Sequence, residues 1–139
     1  FQPGQTFGAW KWIDAYINSC WLNNALQVQI LAGMEMAGRV PYNTIGYSRI
    51  RAWCADVIDR ALNNGVIDRN VNISQTQINE LINEAGEDIS IELYNNGYVL
   101  QILDADATIR QDRTSPSCNF WYTYAGSVHK INLPSTAVV

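Results

Sequence analysis

The chain carries a single histidine, His129, and a general base would have to be built on it. Its nucleophile would be Ser127, Cys118 or Ser115, and none of these stands in a G-x-S-x-G turn or a comparable setting. One histidine cannot form a multi-histidine metal cage either. The bland alternative, a strand histidine satisfied by hydrogen bonds, explains the residue with fewer assumptions, so a hydrolase on His129 and Ser127 is the weakest functional reading. Asp104, Asp106 and Asp112 have the look of a calcium loop, but the glycine at its sixth position and the bidentate glutamate at its twelfth are missing. Glu80, Glu84, Glu87 and Glu92 offer carboxylates that surface solvation accounts for. The glycines are scattered as caps and turns and make no phosphate-binding loop. No catalytic residue, cofactor or metal is expected.

Two other groups of side chains suit recognition. Five Trp and seven Tyr are many for this length. Trp10, Trp21 and Trp53 share helical stripes with aliphatic residues, which leaves Tyr94, Tyr98, Trp121, Tyr122 and Tyr124 as candidate exposed aromatics. A carbohydrate- or protein-binding module with Trp121, Tyr122 and Tyr124 as its platform is therefore the alternative function. Arg110 and Arg113 precede a Ser115-Pro116 turn, and arginine forms bidentate pairs that survive burial. The sequence leaves open whether they bind within the chain or to another subunit.

The elements that would position these residues can be read from periodicity. Apolar residues from Ala9 to about Met36 recur near 3.6 and predict a long helix, stopping between Gly33 and Val40 because Pro41 cannot continue it. Ile50, Trp53, Cys54, Val57, Ile58, Ala61 and Leu62 define a second helix with Asp56 and Arg60 as an i, i+4 pair on its wet side. Asn64-Gly65 ends it and lets Val66 and Ile67 fold back. Ser74 and Gln77 form a capping box for a third helix, flanked by Ile73 and Ile78 and closed by Gly86.

Beyond Asp88 the period shortens to two. Ile89, Ile91 and Leu93 predict a strand, with Asn96-Gly97 as a type I′ turn that sets Leu93 opposite Leu100 and Ile91 opposite Ile102. Residues 104 to 117 predict a polar loop. The segment from Phe120 to Leu133 predicts strand again, as a hairpin around Ala125-Gly126-Ser127 or as one bent strand, and Pro134 stops it.

The fold class expected is α+β, three helices on one face of a small, mostly antiparallel sheet. Its core would hold Ile13, Ile17, Ile50, Trp53, Cys54, Val57, Ile58, Leu81, Ile91, Leu93, Leu100 and Ile102.

Composition narrows the classes further. The 139 residues are 47% hydrophobic and 16% charged, enough for a single domain over 1–139 with a core of ordinary size. Thirteen acids against nine bases give a net charge of -4 and no basic surface for phosphates, so nucleic acid is not an expected partner. Apolar runs are broken well short of the roughly 18 residues of a bilayer span, and no leader is evident; a soluble domain without membrane insertion is expected. Cys20, Cys54 and Cys118 are widely spaced and odd in number, which predicts buried thiols in a reducing compartment. A start at Phe1 and a weakly charged, amide-rich surface suggest a piece of something larger.

Several of these residues together carry a resemblance. Val40-Pro41-Tyr42 with Gly46 and a helix after it, the ending Asn63-Asn64-Gly65-Val66-Ile67, Arg110-x-x-Arg113-x-x-Pro116, and Ala125-Gly126-Ser127-Val128-His129 with Ile131 resemble the C-terminal portion of a family of tail-sheath-like proteins of contractile-tailed bacteriophages. Trp12-Ile13-Asp14 and Trp21-Leu22 resemble it as well. The resemblance implies a structural subunit whose copies wrap the tail tube protein as a helical stack in the virion, assembled in the host bacterial cytoplasm and shortening by rearranged contacts. It further implies a terminal arm, residues 134–139, that adds to a neighbour's sheet, with Ile131, Leu133, Ala137, Val138 and Val139 at the subunit interface; Arg110 and Arg113 are candidates for the same interface, with pairing inside the chain as the open alternative. The partners implied are identical sheath subunits and the tube; an isolated fragment would be monomeric.

Overall fold

A computed structural model describes residues 8, 9 and 11–126. Two long helices come first, α1 (Ile13–Ala37) and α2 (Thr44–Asn63), packed on each other. At their contact Gly33 faces the Trp53 indole so closely that a Cβ there would lie 2.3 Å from a ring carbon. Gly33 is thus a packing residue inside the helix, and the stop comes later, at Gly38, whose φ of 62° lets its N–H bond back to the Met34 carbonyl. Asn43 caps α2 by accepting from the Gly46 N–H, and Arg60 bonds Asp56 at 3.3 Å as the spacing predicts. Past Asn64-Gly65 the N–H groups of Val66 and Ile67 both reach the Ala61 carbonyl, and both side chains are buried.

Helix α3 (Gln75–Ala85) has the predicted capping box, with the Ser74 hydroxyl accepting from the Gln77 N–H and the Gln77 amide oxygen accepting from the Ser74 N–H. The expected strand at 89–94 is instead a helix, α4 (Ser90–Asn96). Ile89 and Leu93, four apart, are both buried, whereas Ile91 between them is 73% exposed, so the segment follows the helical period. Asp88 starts it by accepting from the Ser90 N–H and hydroxyl. Gly97 ends it at φ 79° with its N–H on the Leu93 carbonyl. The Asn96-Gly97 pair therefore caps a helix, and the register proposed for a hairpin does not exist.

Strand β1 (Tyr98–Ile102) pairs with β2 (Cys118–Tyr122), antiparallel, with Tyr98 opposite Tyr122, Leu100 opposite Phe120 and Ile102 opposite Cys118. Between them the expected polar loop contains a short helix, α5 (Ala107–Asp112), started by Asp106, whose carboxylate accepts from the Ile109 N–H. Beyond β2, Tyr124 bridges to Ile67 and its hydroxyl donates to Asp14 in the first turn of α1. The remainder of the predicted strand region and the arm lie outside the described residues.

The ribbon is covered on both faces, which corrects the picture of helices on one side. Tyr98, Phe120 and Tyr122 pack with Leu22, Val57, Ala61, Val66 and Ile67, mainly from α1 and α2. The alternate residues Val99 and Trp121 pack with Ile89, Leu93 and Leu81 from the α3–α4 side. Among the described residues the fold is α+β, with five helices and a two-stranded antiparallel sheet. The two clusters are joined by Thr123, which is buried; its N–H donates to the Gly97 carbonyl, and its hydroxyl lies 2.5 Å from the Asp68 carbonyl oxygen.

Several expected core residues are elsewhere. Cys54, Val57, Ile58 and Leu93 are buried, and Ile50, Trp53, Leu81, Leu100 and Ile102 are half-buried. Ile13, Ile17 and Ile91 are exposed. Helix α1 is apolar on more than one side, so periodicity could not choose its inward face; Ala15, Leu22 and Gly33 face inward. Of the cysteines, only Cys54 is buried as a residue, while Cys20 and Cys118 are exposed. Truncating an inward residue should create a cavity, and truncating an outward one should not. Leu22→Ala is expected to lower stability by about 2–5 kcal/mol and Leu31→Ala by less than about 0.5 kcal/mol, as measured by chemical denaturation.

Candidate subunit interface

The described residues form an open groove of about 800 Å³ where the end of α1 meets α2, α5 and the segment leading into β2. Its apolar lining comes from Ile30, Met34, Val40, Pro41, Ile50 and Trp53, and its cations are Arg39, Arg110 and Arg113. Local chemistry fixes the walls. Gly38 turns the chain out of α1, and Pro41 approaches Gly46 so closely that a Cβ on the glycine would overlap the proline carbonyl oxygen. Tyr42 then donates its hydroxyl to the Thr114 carbonyl at 2.6 Å, tying the α1–α2 connection to the segment after α5.

A second tie is ionic. The Tyr47 hydroxyl donates to Asp104 Oδ1 at 2.5 Å and accepts from the Ala105 N–H at 3.0 Å. Arg110 Nη2 lies 3.4 Å from the same carboxylate, and its Nε donates to the Ala105 carbonyl at 2.9 Å. The Tyr47 bond above all, with help from Arg110, holds the Asp104 carboxyl below the usual carboxylate range, and the Tyr47 phenol is raised for the same reason. Arg110 is thus paired within its own chain. Arg113, at φ 54° just after α5, lines the groove and has no carboxylate partner among the described residues, and the same holds for Arg39. Burial raises the Cys118 thiol at the groove wall and the Cys54 thiol behind it.

The aromatic platform does not form. Trp121 is half-buried and donates its indole N–H to Glu84 at 3.0 Å. Phe120 and Tyr122 stack at 5.8 Å within the first cluster, burial raises the Tyr122 phenol, and Tyr124 is held by Asp14. Of the five aromatics expected at the surface, only Tyr94 is exposed. Ser127, His129, Ile131, Leu133, Ala137, Val138 and Val139 lie outside the described residues. Among the described residues no three His, Cys, Asp or Glu side chains are placed to share a metal ion, and no helix is long and apolar enough to cross a membrane.

Val40-Pro41-Tyr42 and Arg110-x-x-Arg113-x-x-Pro116, some seventy residues apart, therefore meet as opposite walls of one groove. Comparison with known families explains why both patterns resemble sheath sequences: the model of the E217 tail sheath protein gp31-like C-terminal domain matches residues 13–137. The chain belongs to that family. This sheath domain is accordingly a structural component of a phage tail, from a family without an enzymatic role. No curated protein matches it. Sequence reasoning missed Tyr47, Asp104 and Trp53 as parts of the site: nothing in the local pattern of Tyr47 or Asp104 announces a partner more than fifty residues away, and Trp53 reads simply as a core residue of its helix.

The carboxylate at the centre of the second tie makes a pH prediction. A carboxyl lowered on folding adds stability above its unfolded value, and that contribution is lost as pH falls through the folded value. Asp104→Asn should lower the melting temperature at neutral pH and leave a smaller loss between pH 7 and pH 3 than the natural domain shows, as followed by thermal denaturation.

Proposed function

We propose that this domain is the C-terminal part of a sheath subunit that polymerises around the tail tube, and that it shortens the tail by exchanging subunit contacts. The observation that carries the reading is the outer face of α1. Ile13, Tyr16, Ile17, Val28, Leu31 and Met34 share one side of the helix, opposite Ala15, Leu22 and Gly33, and each is about half exposed or more. Their spacing along α1 covers about 30 Å. An apolar stripe of that length is more than a lone domain ordinarily leaves in water and marks a surface built for contact.

In this reading residues 1–139 are one domain and residues 134–139 are an arm. Ile131, Leu133, Ala137, Val138 and Val139 would supply backbone hydrogen bonds and apolar side chains to an adjacent copy. The ribbon of β1 and β2 supports this, because among the described residues each strand has one hydrogen-bonded neighbour and a free edge. Singly such additions are weak; repeated along a tail they become strong. Assembly around the tube in the host bacterial cytoplasm belongs to the same proposal.

Electron microscopy of the full-length sheath protein tests it. Removal of Ser135 to Val139, or Ile17→Glu with Leu31→Glu on the α1 face, should abolish striated tubes while leaving the circular dichroism spectrum unchanged. Tubes of normal length and number from both variants would contradict the reading.

A further inference from the structure

The groove between α1, α2 and α5 combines an apolar lining with fixed positive charge. Its lining includes Met34, Ile50 and Trp53, and among the described residues Arg110 is the one of its three arginines with a carboxylate partner, Asp104. Among the described residues Arg39 and Arg113 have no carboxylate partner, and they line an apolar cavity, where a fixed positive charge favours an anionic partner and rejects a cationic one.

The same chain carries the complement. Residues 71–103 contain Glu80, Glu84, Glu87, Asp88 and Glu92 and not one base. In their midst α4 directs Leu93 inward and leaves Ile91 73% exposed beside an exposed Tyr94. A bare isoleucine next to Glu92 in sequence and four residues from Glu87, whose carboxylate also accepts from the Gln101 amide at 3.4 Å, fits an apolar groove lined by Arg39 and Arg113 in both polarity and sign. The two features cannot satisfy each other within one molecule. The groove belongs to the α1–α2 side of the ribbon, and α4 packs on the opposite face through Leu93 and Val99.

We infer that the groove receives the α4 knob of a second copy, with Ile91 entering over Trp53 and Glu87 and Glu92 meeting Arg39 and Arg113. Such a contact joins unlike surfaces head to tail, so it leaves one groove and one knob free at the ends and propagates as an open row of subunits. It rests on the assembly reading above and gives that reading a specific polar contact in addition to the arm. Because the four charges stand at the surface, the contact weakens as salt shortens the screening length.

Charge reversal in the full-length sheath protein tests this, with polymerisation followed by light scattering and electron microscopy. Arg113→Glu and Glu92→Arg should each raise the concentration needed for polymerisation about tenfold. The two together should restore it to within about threefold of the natural protein. Ile91→Ser should weaken assembly without a charge change, and all four variants should keep the natural circular dichroism spectrum. Polymerisation unaffected by either reversal, or a double variant no better than the singles, would overturn the contact while leaving sheath assembly intact. Variants that polymerise normally but no longer bind the tail tube would show that the groove takes a tube segment, and that too would overturn it. A natural protein that forms no polymer under any condition would refute the assembly reading itself and this contact with it.

Discussion

A two-stranded ribbon has no independent stability in water, and the alternation of its side chains decides how this domain is built. Tyr98, Phe120 and Tyr122 point one way and Val99 and Trp121 the other, so each face needs its own helical cover. The α1–α2 pair supplies one and the α3–α4 pair the other. Thr123 and Gly97 hold the seam between them, the glycine lying so close to the Asp68 carbonyl that a side chain there would have no room. The inward faces of the helices are spent on this ribbon, and the apolar residues of α1 that point outward stay about half exposed.

That distribution links the fold to its use. An enzyme of this size concentrates polar groups in a cleft; here the polar groups in the groove tie segments of the chain together. Tyr42 to Thr114 and Tyr47 to Asp104 fasten the α1–α2 connection to the α5 region, and with Arg110 committed to Asp104, Arg39 and Arg113 line the groove without a carboxylate partner among the described residues. The family to which the chain belongs gives such surfaces a setting, a tail sheath in which many copies meet. Proline, glycine and tyrosine around the groove act as architecture, holding its shape.

Much of this was legible where local chemistry is unambiguous. The Ser74–Gln77 box, the 3.6-residue stripe of α2 and the Asn64-Gly65 turn each depend on neighbours within four or five residues, and each stands in the structure as read. Helix α4 was not legible, because Ile89, Ile91 and Leu93 fit a strand as well as a helix over so short a run, and Gly97 serves a hairpin turn and a helix cap equally well. The inward face of α1 was hidden by a helix apolar on more than one side. The groove was hidden for a different reason: its walls come from sequence positions seventy residues apart, and only their common resemblance to sheath sequences linked them.

If the tail is assembled as proposed, α1 turns its apolar outer face toward another molecule of the tail. A cryo-electron-microscopy map of the parent phage's extended tail, at a resolution that shows side chains, measures this directly. Ile17, Leu31 and Met34 are expected to be buried against another chain there. A map in which that face of α1 lies open to solvent along the whole sheath would contradict it.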